Sequence, residues 1–275
     1  MTYGLQSDDE VPCKWRRVAI RIMNRFFQLL KIASLTALLS AVLTACMPIG
    51  IVKSKLDVIE DVAPCKGDID TLVVLLPGAY DTPDDFVRQG FVEAMHAKQI
   101  AADVVMADTH VGYYTSALVV ERLHQDIVMP ARAKGYRHIW FAGISLGGYG
   151  SLLYAKQYGD TIDGMFLMAP FLGNRSLIAE VGKSGLADWP VGQVDAKDYD
   201  RELWAWIKTY ATAPASVPPL YIGYGVEDRF AGSNRLIGDV LPPDRVTTAE
   251  GGHTWKPWLK LWQGFLDRDV LPRCR

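Results

Sequence analysis

The sequence has 275 residues, of which 49% are hydrophobic and 22% are charged, with a net charge of −2 at pH 7. This balance is typical of a globular protein with enough apolar material for one sizeable core. It lacks the strong positive charge that nucleic-acid-binding domains carry, so no nucleic acid is predicted as a partner. The sequence also lacks C-x-x-C pairs, an H-E-x-x-H motif and a glycine-rich phosphate loop, and we therefore predict neither a metal nor a cofactor.

The first 45 residues combine a basic stretch with a short apolar run. At 14 residues, the run over 32–45 is shorter than the roughly 20 that a membrane-spanning helix needs, and it matches the core of a signal peptide. It ends in Leu43-Thr44-Ala45-Cys46, which resembles the lipobox of bacterial lipoproteins. The basic stretch is long for a signal peptide, so we expect translation to start at Met23.

The lipobox resemblance implies removal of residues 1–45 and lipidation of Cys46, with palmitate among the acyl chains. The protein would then be exported and anchored by lipid to a membrane of the bacterial cell envelope, with 46–68 as lipidated N-terminus and tether. An uncleaved membrane anchor is the alternative. Because removal of 1–45 leaves a more acidic chain, attachment would depend on the acyl chains and not on basic residues.

Two cysteines follow Cys46, namely Cys65 and Cys274, and they lie near the two ends of the remaining chain. An exported protein meets an oxidising compartment, which favours a disulfide between them. The alternative is a pair of free thiols, and the sequence leaves both open because it contains no geometry.

Apolar runs and helical stretches alternate through the predicted domain at 69–275. The predicted strands are 71–76, 102–107, 137–142, 163–168, 219–224 and 245–249, and the predicted helices are 84–97, 116–134, 149–158, 200–210, 234–240 and 255–266. This alternation predicts an α/β fold, with a mostly parallel sheet and helices on both faces. The alternation of strands and helices is absent from residues 171–200, and we interpret this segment as a short lid-like insertion over the functional site.

The most informative motif is centred on Ser145, where residues 143–147 read Gly-Ile-Ser-Leu-Gly. A predicted strand precedes this G-x-S-x-G match and a predicted helix follows it. On such a strand-to-helix turn the serine hydroxyl is raised out of the sheet, and the flanking glycines leave room for the cramped backbone. The context therefore predicts a nucleophilic serine.

A serine hydroxyl needs a base within hydrogen-bond distance, and the base needs an anion that orients it. Asp228 follows the predicted strand at 219–224 and is the candidate for this anion. The adjacent Glu227 is the alternative candidate. His253 follows the last predicted strand at 245–249. The order serine, acid, histidine is the one that G-x-S-x-G hydrolases use.

On these three motifs the chain resembles the α/β-hydrolases, in particular the small single-domain serine esterases and lipases, over about residues 69–270. The resemblance implies that Ser145 is the nucleophile, that His253 is the general base and then the acid, and that Asp228 orients the imidazole. The expected substrate is a small-molecule carboxylic ester or thioester, cleaved through an acyl-enzyme. An acyltransferase with the same triad, or a non-catalytic binding module of the envelope, are the alternatives. The oligomeric state is not predicted.

An acyl-transfer site also needs hydrogen-bond donors for the oxyanion. The resemblance implies that one is the backbone N–H of Leu146 and that the other lies in the turn after the strand at 71–76. Many relatives carry His-Gly in that turn, whereas this chain has Pro-Gly-Ala-Tyr at 77–80. The alignment assigns the second donor to Ala79, with Tyr80 as the alternative.

Overall fold

The computed structural model describes residues 50–275, so the predicted signal peptide and Cys46 lie outside the described residues. These residues form a sheet whose strands are β1 (Val58–Asp61), β2 (Thr71–Leu76), β3 (Asp103–Ala107), β4 (His138–Ile144), β5 (Gly164–Met168), β6 (Leu220–Gly225) and β7 (Val246–Ala249). The spatial order is β1-β3-β2-β4-β5-β6-β7. The β1–β3 pair is antiparallel and every other pair is parallel, which confirms the predicted mostly parallel α/β sheet.

The α-helices of the described residues are α1 (Pro83–Arg88), α2 (Phe91–Ala97), α3 (Val111–Thr115), α4 (Val119–Leu123), α5 (Met129–Lys134), α6 (Leu146–Tyr158), α7 (Arg175–Gly182), α8 (Tyr199–Ile207), α9 (Thr209–Thr212), α10 (Ala231–Gly238) and α11 (Trp255–Leu266). A π-helical turn at His124–Val128 joins α4 to α5. Among residues 50–275, no helix has the length and apolarity needed to cross a bilayer.

Two apolar layers cover the sheet, one on each face. Side chains from α4, α5, α6, α8 and α10 pack on one face, and side chains from α1, α2 and α11 pack on the other. Strand β2 is buried along its whole length, which explains why it is a continuous apolar run and not an alternating one.

Two predicted helices are interrupted. The helix predicted at 84–97 is instead α1 and α2, because Gly90 adopts a φ of 80° that ends one helix before the next begins. The helix predicted at 116–134 begins only at Val119, and its π-helical turn ends at Val128, two residues before Pro130. Since proline lacks an N–H and crowds the carbonyl four residues earlier, a widened turn accommodates it.

The tether predicted at 46–68 includes part of the folded domain. Strand β1 pairs with the outer edge of β3, and Leu56 is buried in the core beside it. This pairing covers a strand edge that would otherwise expose unpaired backbone groups. The sequence signal was weak because β1 has only four residues and lies half-exposed.

The insertion at 171–200 is a packed segment. It contains α7, which begins with the Asn174 side chain accepting the N–H of Ser176 at 2.8 Å. Trp189 is 1% exposed, and its indole N–H donates to Glu180 at 3.0 Å. Arg201 of α8 pairs with Glu180 at 2.7 Å, so the insertion is fixed to the helix that follows it.

Cys65 and Cys274 form a disulfide in the structure, with their Cα atoms 5.3 Å apart. The C-terminal segment that carries Cys274 is also held by backbone hydrogen bonds. Ala101 donates to the carbonyl of Pro272, and Cys274 donates to the carbonyl of Gln99, both at 2.8 Å. Of the two alternatives that the sequence left open, the structure contains the paired one.

Replacing both cysteines, as Cys65→Ser with Cys274→Ser, should lower the free energy of unfolding by about 2–5 kcal/mol, because the bond closes a loop between residues 209 positions apart. Urea unfolding of the oxidised protein and of the double variant measures the difference. The reduced wild type is the matched control and should unfold with the double variant. Equal midpoints for all three samples would contradict a stabilising disulfide.

Candidate active site

Ser145 occupies the single residue between β4 and α6. Its φ of 51° and ψ of −111° are a conformation that a non-glycine residue adopts only under strain. The N–H of Ser145 donates to the carbonyl of Met168 at 3.0 Å, and its own carbonyl accepts the N–H of Phe171 at 2.9 Å. These bonds to the end of β5 and to the start of the insertion hold the strained turn in place.

Two glycines give this turn the space that it needs. A Cβ atom on Gly143 would lie 2.5 Å from the backbone carbonyl carbon of Gly147. A Cβ atom on Gly147 would lie 2.1 Å from the carbonyl oxygen of Leu76, the last residue of β2. Both distances are far below non-bonded contact, so only glycine fits at either position. The first turn of α6 therefore packs directly against the end of β2.

A chain of hydrogen bonds joins the three residues that the sequence singled out. Nε2 of His253 lies 2.9 Å from Oγ of Ser145, and Nδ1 lies 2.8 Å from Oδ2 of Asp228. The other carboxylate oxygen of Asp228 accepts the N–H of Phe230 at 2.8 Å. Because the buried carboxylate can only accept, Nδ1 donates its N–H to it, and Nε2 therefore faces the serine as an acceptor.

The loops that carry Asp228 and His253, after β6 and β7, are joined by backbone hydrogen bonds. The N–H of Val226 donates to the carbonyl of Ala249 at 2.9 Å, and the N–H of Glu227 donates to that of Gly251 at 3.2 Å. The Glu227 side chain is exposed, whereas Asp228 is buried. It is therefore Asp228, and not Glu227, that is hydrogen-bonded to the imidazole.

Two aromatic rings that the sequence analysis did not single out hold the imidazole from its sides. Phe230 and Trp258 each lie 4.9 Å from the His253 ring, nearly perpendicular to it. They restrict rotation of the ring, and the Asp228 side chain that it contacts is fully buried. The signal for Trp258 was the spacing of Trp255, Trp258 and Trp262, which marks one face of α11 as buried.

The loop at 77–81, directly after β2, borders Ser145. A Cβ atom on Gly78 would lie 3.6 Å from Cβ of Ser145. Leu146 is the first residue of α6, and the N–H groups of a first helical turn have no partner within the helix. The predicted oxyanion donors, Ala79 and Leu146, therefore belong to two segments that meet beside Ser145. The alternative donor, Tyr80, lies in the same loop as Ala79 and is 68% exposed as a residue.

Asp81, at the end of the same loop, is a titratable residue that the sequence analysis missed. Its Oδ1 accepts the indole N–H of Trp255 at 3.2 Å, and partial burial raises the pKa of the carboxyl above its usual value. The available signal was its position, since it follows a buried strand at the carboxyl edge of the sheet, where ligands bind in open α/β folds.

No family model matches the sequence, and no curated protein matches it either. Solved structures do match. Est1E from Butyrivibrio proteoclasticus is 17% identical with a TM-score of 0.54, over 77% of this chain and 91% of that one. FphF, a fluorophosphonate-binding serine hydrolase of Staphylococcus aureus, is 16% identical with a TM-score of 0.51, over 78% and 98%. The S-formylglutathione hydrolase FrmB from Staphylococcus aureus is 14% identical with a TM-score of 0.50, over 79% and 98%.

The chain has the α/β-hydrolase fold. In an α/β-hydrolase sheet the parallel strands end at one edge, and here that edge carries every part of the candidate site. Ser145 follows β4, Asp228 follows β6, His253 follows β7, and the 77–81 loop follows β2. A hydroxyl, an imidazole and a buried carboxylate in hydrogen-bond contact form a group that can produce a nucleophile at neutral pH.

Proposed function

We propose that the protein is a serine hydrolase that cleaves carboxylic ester or thioester bonds through an acyl-enzyme. The observation that carries the proposal is the continuous hydrogen-bonded relay from Ser145 through His253 to Asp228. The strained turn at Ser145 and the loop at 77–81 beside it, which carries the predicted oxyanion donor Ala79, support the same chemistry. The names of the structural neighbours, which include a serine hydrolase and an S-formylglutathione hydrolase, are consistent with it.

In the proposed acylation step, Nε2 of His253 accepts the hydroxyl proton of Ser145 while Oγ attacks the carbonyl carbon of the substrate. Asp228 stabilises the imidazolium that forms, and the N–H groups of Leu146 and Ala79 bind the oxyanion. Collapse of the tetrahedral intermediate breaks the bond to the leaving alcohol or thiol, which takes the proton from Nε2. Water then attacks the acyl-enzyme by the same steps, with His253 first as base and then as acid.

Hydrolysis of 4-nitrophenyl esters of increasing chain length tests the proposal. We expect saturable release of 4-nitrophenol from wild type, and a maximum at one chain length would show the size of the acyl pocket. Adding glycerol or an amine as a competing acceptor separates the alternatives. Free acid as the main product supports a hydrolase, whereas a dominant transfer product would identify an acyltransferase. No turnover of any ester by folded protein would favour a non-catalytic envelope module.

We also propose that Cys46 anchors the mature protein to a membrane of the bacterial cell envelope, after removal of residues 1–45. The support is the lipobox-like tetrapeptide at the end of a short apolar run, which lies outside the described residues. Metabolic labelling with an alkyne-bearing palmitate, followed by fractionation, provides the test. Label in wild type and none in Cys46→Ala is expected, and equal labelling of the two would contradict the proposal.

A further inference from the structure

Asp81 is the last residue of the 77–81 loop, and its side chain contacts α11, the helix that follows His253. Its backbone N–H donates to the carbonyl of Gly78 at 3.2 Å, which closes the turn over residues 78–81. Its Oδ1 accepts the indole N–H of Trp255, which lies two residues after His253. The backbone of Asp81 is therefore held by Gly78, and one oxygen of its carboxyl group is held by Trp255.

The other carboxyl oxygen of Asp81 lies against Gly78, on the side of that residue that borders Ser145. A Cβ atom added to Gly78 would lie 2.4 Å from Oδ2 of Asp81 and 3.6 Å from Cβ of Ser145. Both side chains therefore border the same point in space, next to the turn that is predicted to bind the oxyanion. A group bound beside Ser145 on the Gly78 side would therefore lie close to this carboxyl.

The charge of Asp81 has no cationic partner among residues 50–275. No described lysine or arginine lies within ion-pair distance of it, and the neighbouring Asp85 is itself paired with Arg88 at 2.6 Å. His253 is the nearby group that adds positive charge when protonated, and Asp85 adds negative charge. A half-buried carboxylate without a counter-ion is unfavourable, and such groups in clefts often belong to binding sites.

We propose that Asp81 forms a cation subsite beside the nucleophile, and that the site takes esters or thioesters with an ammonium group on the acyl or the alcohol side. This inference rests on the proposed serine hydrolase activity and adds a substrate class to it. A substrate cation would supply the missing counter-ion, and its attraction to the carboxylate would be strong because part of the surrounding water is excluded.

Two pairs of esters that differ in charge but not in shape test the subsite. On the alcohol side, the pair is butyrylcholine and 3,3-dimethylbutyl butyrate. On the acyl side, it is the 4-nitrophenyl esters of 4-(trimethylammonio)butyrate and 5,5-dimethylhexanoate. In at least one pair, we expect wild type to prefer the cationic member by about tenfold or more in kcat/KM. Asp81→Asn should reduce that preference to about twofold or less, because the amide removes the charge and still accepts the Trp255 hydrogen bond.

Glu227→Gln is the matched control, since it removes the same unit of charge from an exposed neighbour of the site. It should leave the preference unchanged. Equal use of both members by wild type in both pairs would overturn the subsite, as would a preference that survives Asp81→Asn. Equal loss of activity toward all four esters in Asp81→Asn would show that Asp81 only positions the loop. Turnover of the neutral esters, abolished by Ser145→Ala, supports the proposed function independently, and no turnover at all would overturn both proposals.

Discussion

Ser145→Ala should lower kcat for a good ester substrate by about 10⁵-fold or more, because the acyl-enzyme can no longer form. The residual rate would come from the oxyanion donors and from substrate binding, which the substitution leaves in place. Steady-state hydrolysis of the best 4-nitrophenyl ester, with the protein purified from a host that lacks background esterase, measures the loss.

Ser145→Gly is the matched variant for this experiment. It should be as inactive as Ser145→Ala, yet unfold at a higher temperature, because glycine adopts the φ of 51° at this turn without strain. Thermal unfolding followed by circular dichroism makes the comparison. An active Ser145→Ala protein would show that the hydroxyl is not the nucleophile, and a less stable glycine variant would contradict the strained turn.

Asp228→Asn should lower kcat by about 10⁴-fold while leaving the fold intact. The amide still fills the space of the carboxylate, but it offers its NH₂ to Nδ1 of His253 and so favours the wrong tautomer. The buried amide also cannot stabilise the imidazolium that forms during catalysis. Kinetics and a thermal unfolding curve for the same preparation separate this effect from a loss of folded protein.

Glu227→Gln is also the control for the Asp228→Asn experiment. Glu227 is the exposed neighbour that the sequence left open as the alternative acid. Its kcat should stay within about threefold of wild type, as expected for a surface substitution away from the reacting groups. A large loss in Glu227→Gln together with a mild effect in Asp228→Asn would reverse the assignment of the acid.

The parts of the fold that follow from local patterns could be predicted. Buried parallel strands are continuous apolar runs, and the glycines around Ser145 are required by contacts of the turn with itself and with β2. The order of Ser145, Asp228 and His253 then placed all three at one edge of the sheet. Each of these inferences depends on residues close in sequence or on the regular geometry of an α/β sheet.

The missed features depend on contacts between distant parts of the chain. The hydrogen bond from Trp255 to Asp81 joins residues that are 174 positions apart, and no local pattern signals it. Strand β1 exists because β3 offers it an open edge, and Trp189 is buried because α7 and α8 fold over it. The break at Gly90 had a local signal, but one glycine in a helical pattern is also tolerated, so the pattern alone did not require two helices.

Labelling with a fluorophosphonate, read by intact-protein mass and then by peptide mapping, tests the central claim most directly, namely that Ser145 is an activated nucleophile. The reagent needs an activated nucleophile and does not depend on knowing the substrate. We predict one label per folded wild-type molecule, located on Ser145, and none in Ser145→Ala under the same conditions. Folded wild type that stays unlabelled, or a label on another residue that persists in Ser145→Ala, would contradict this claim.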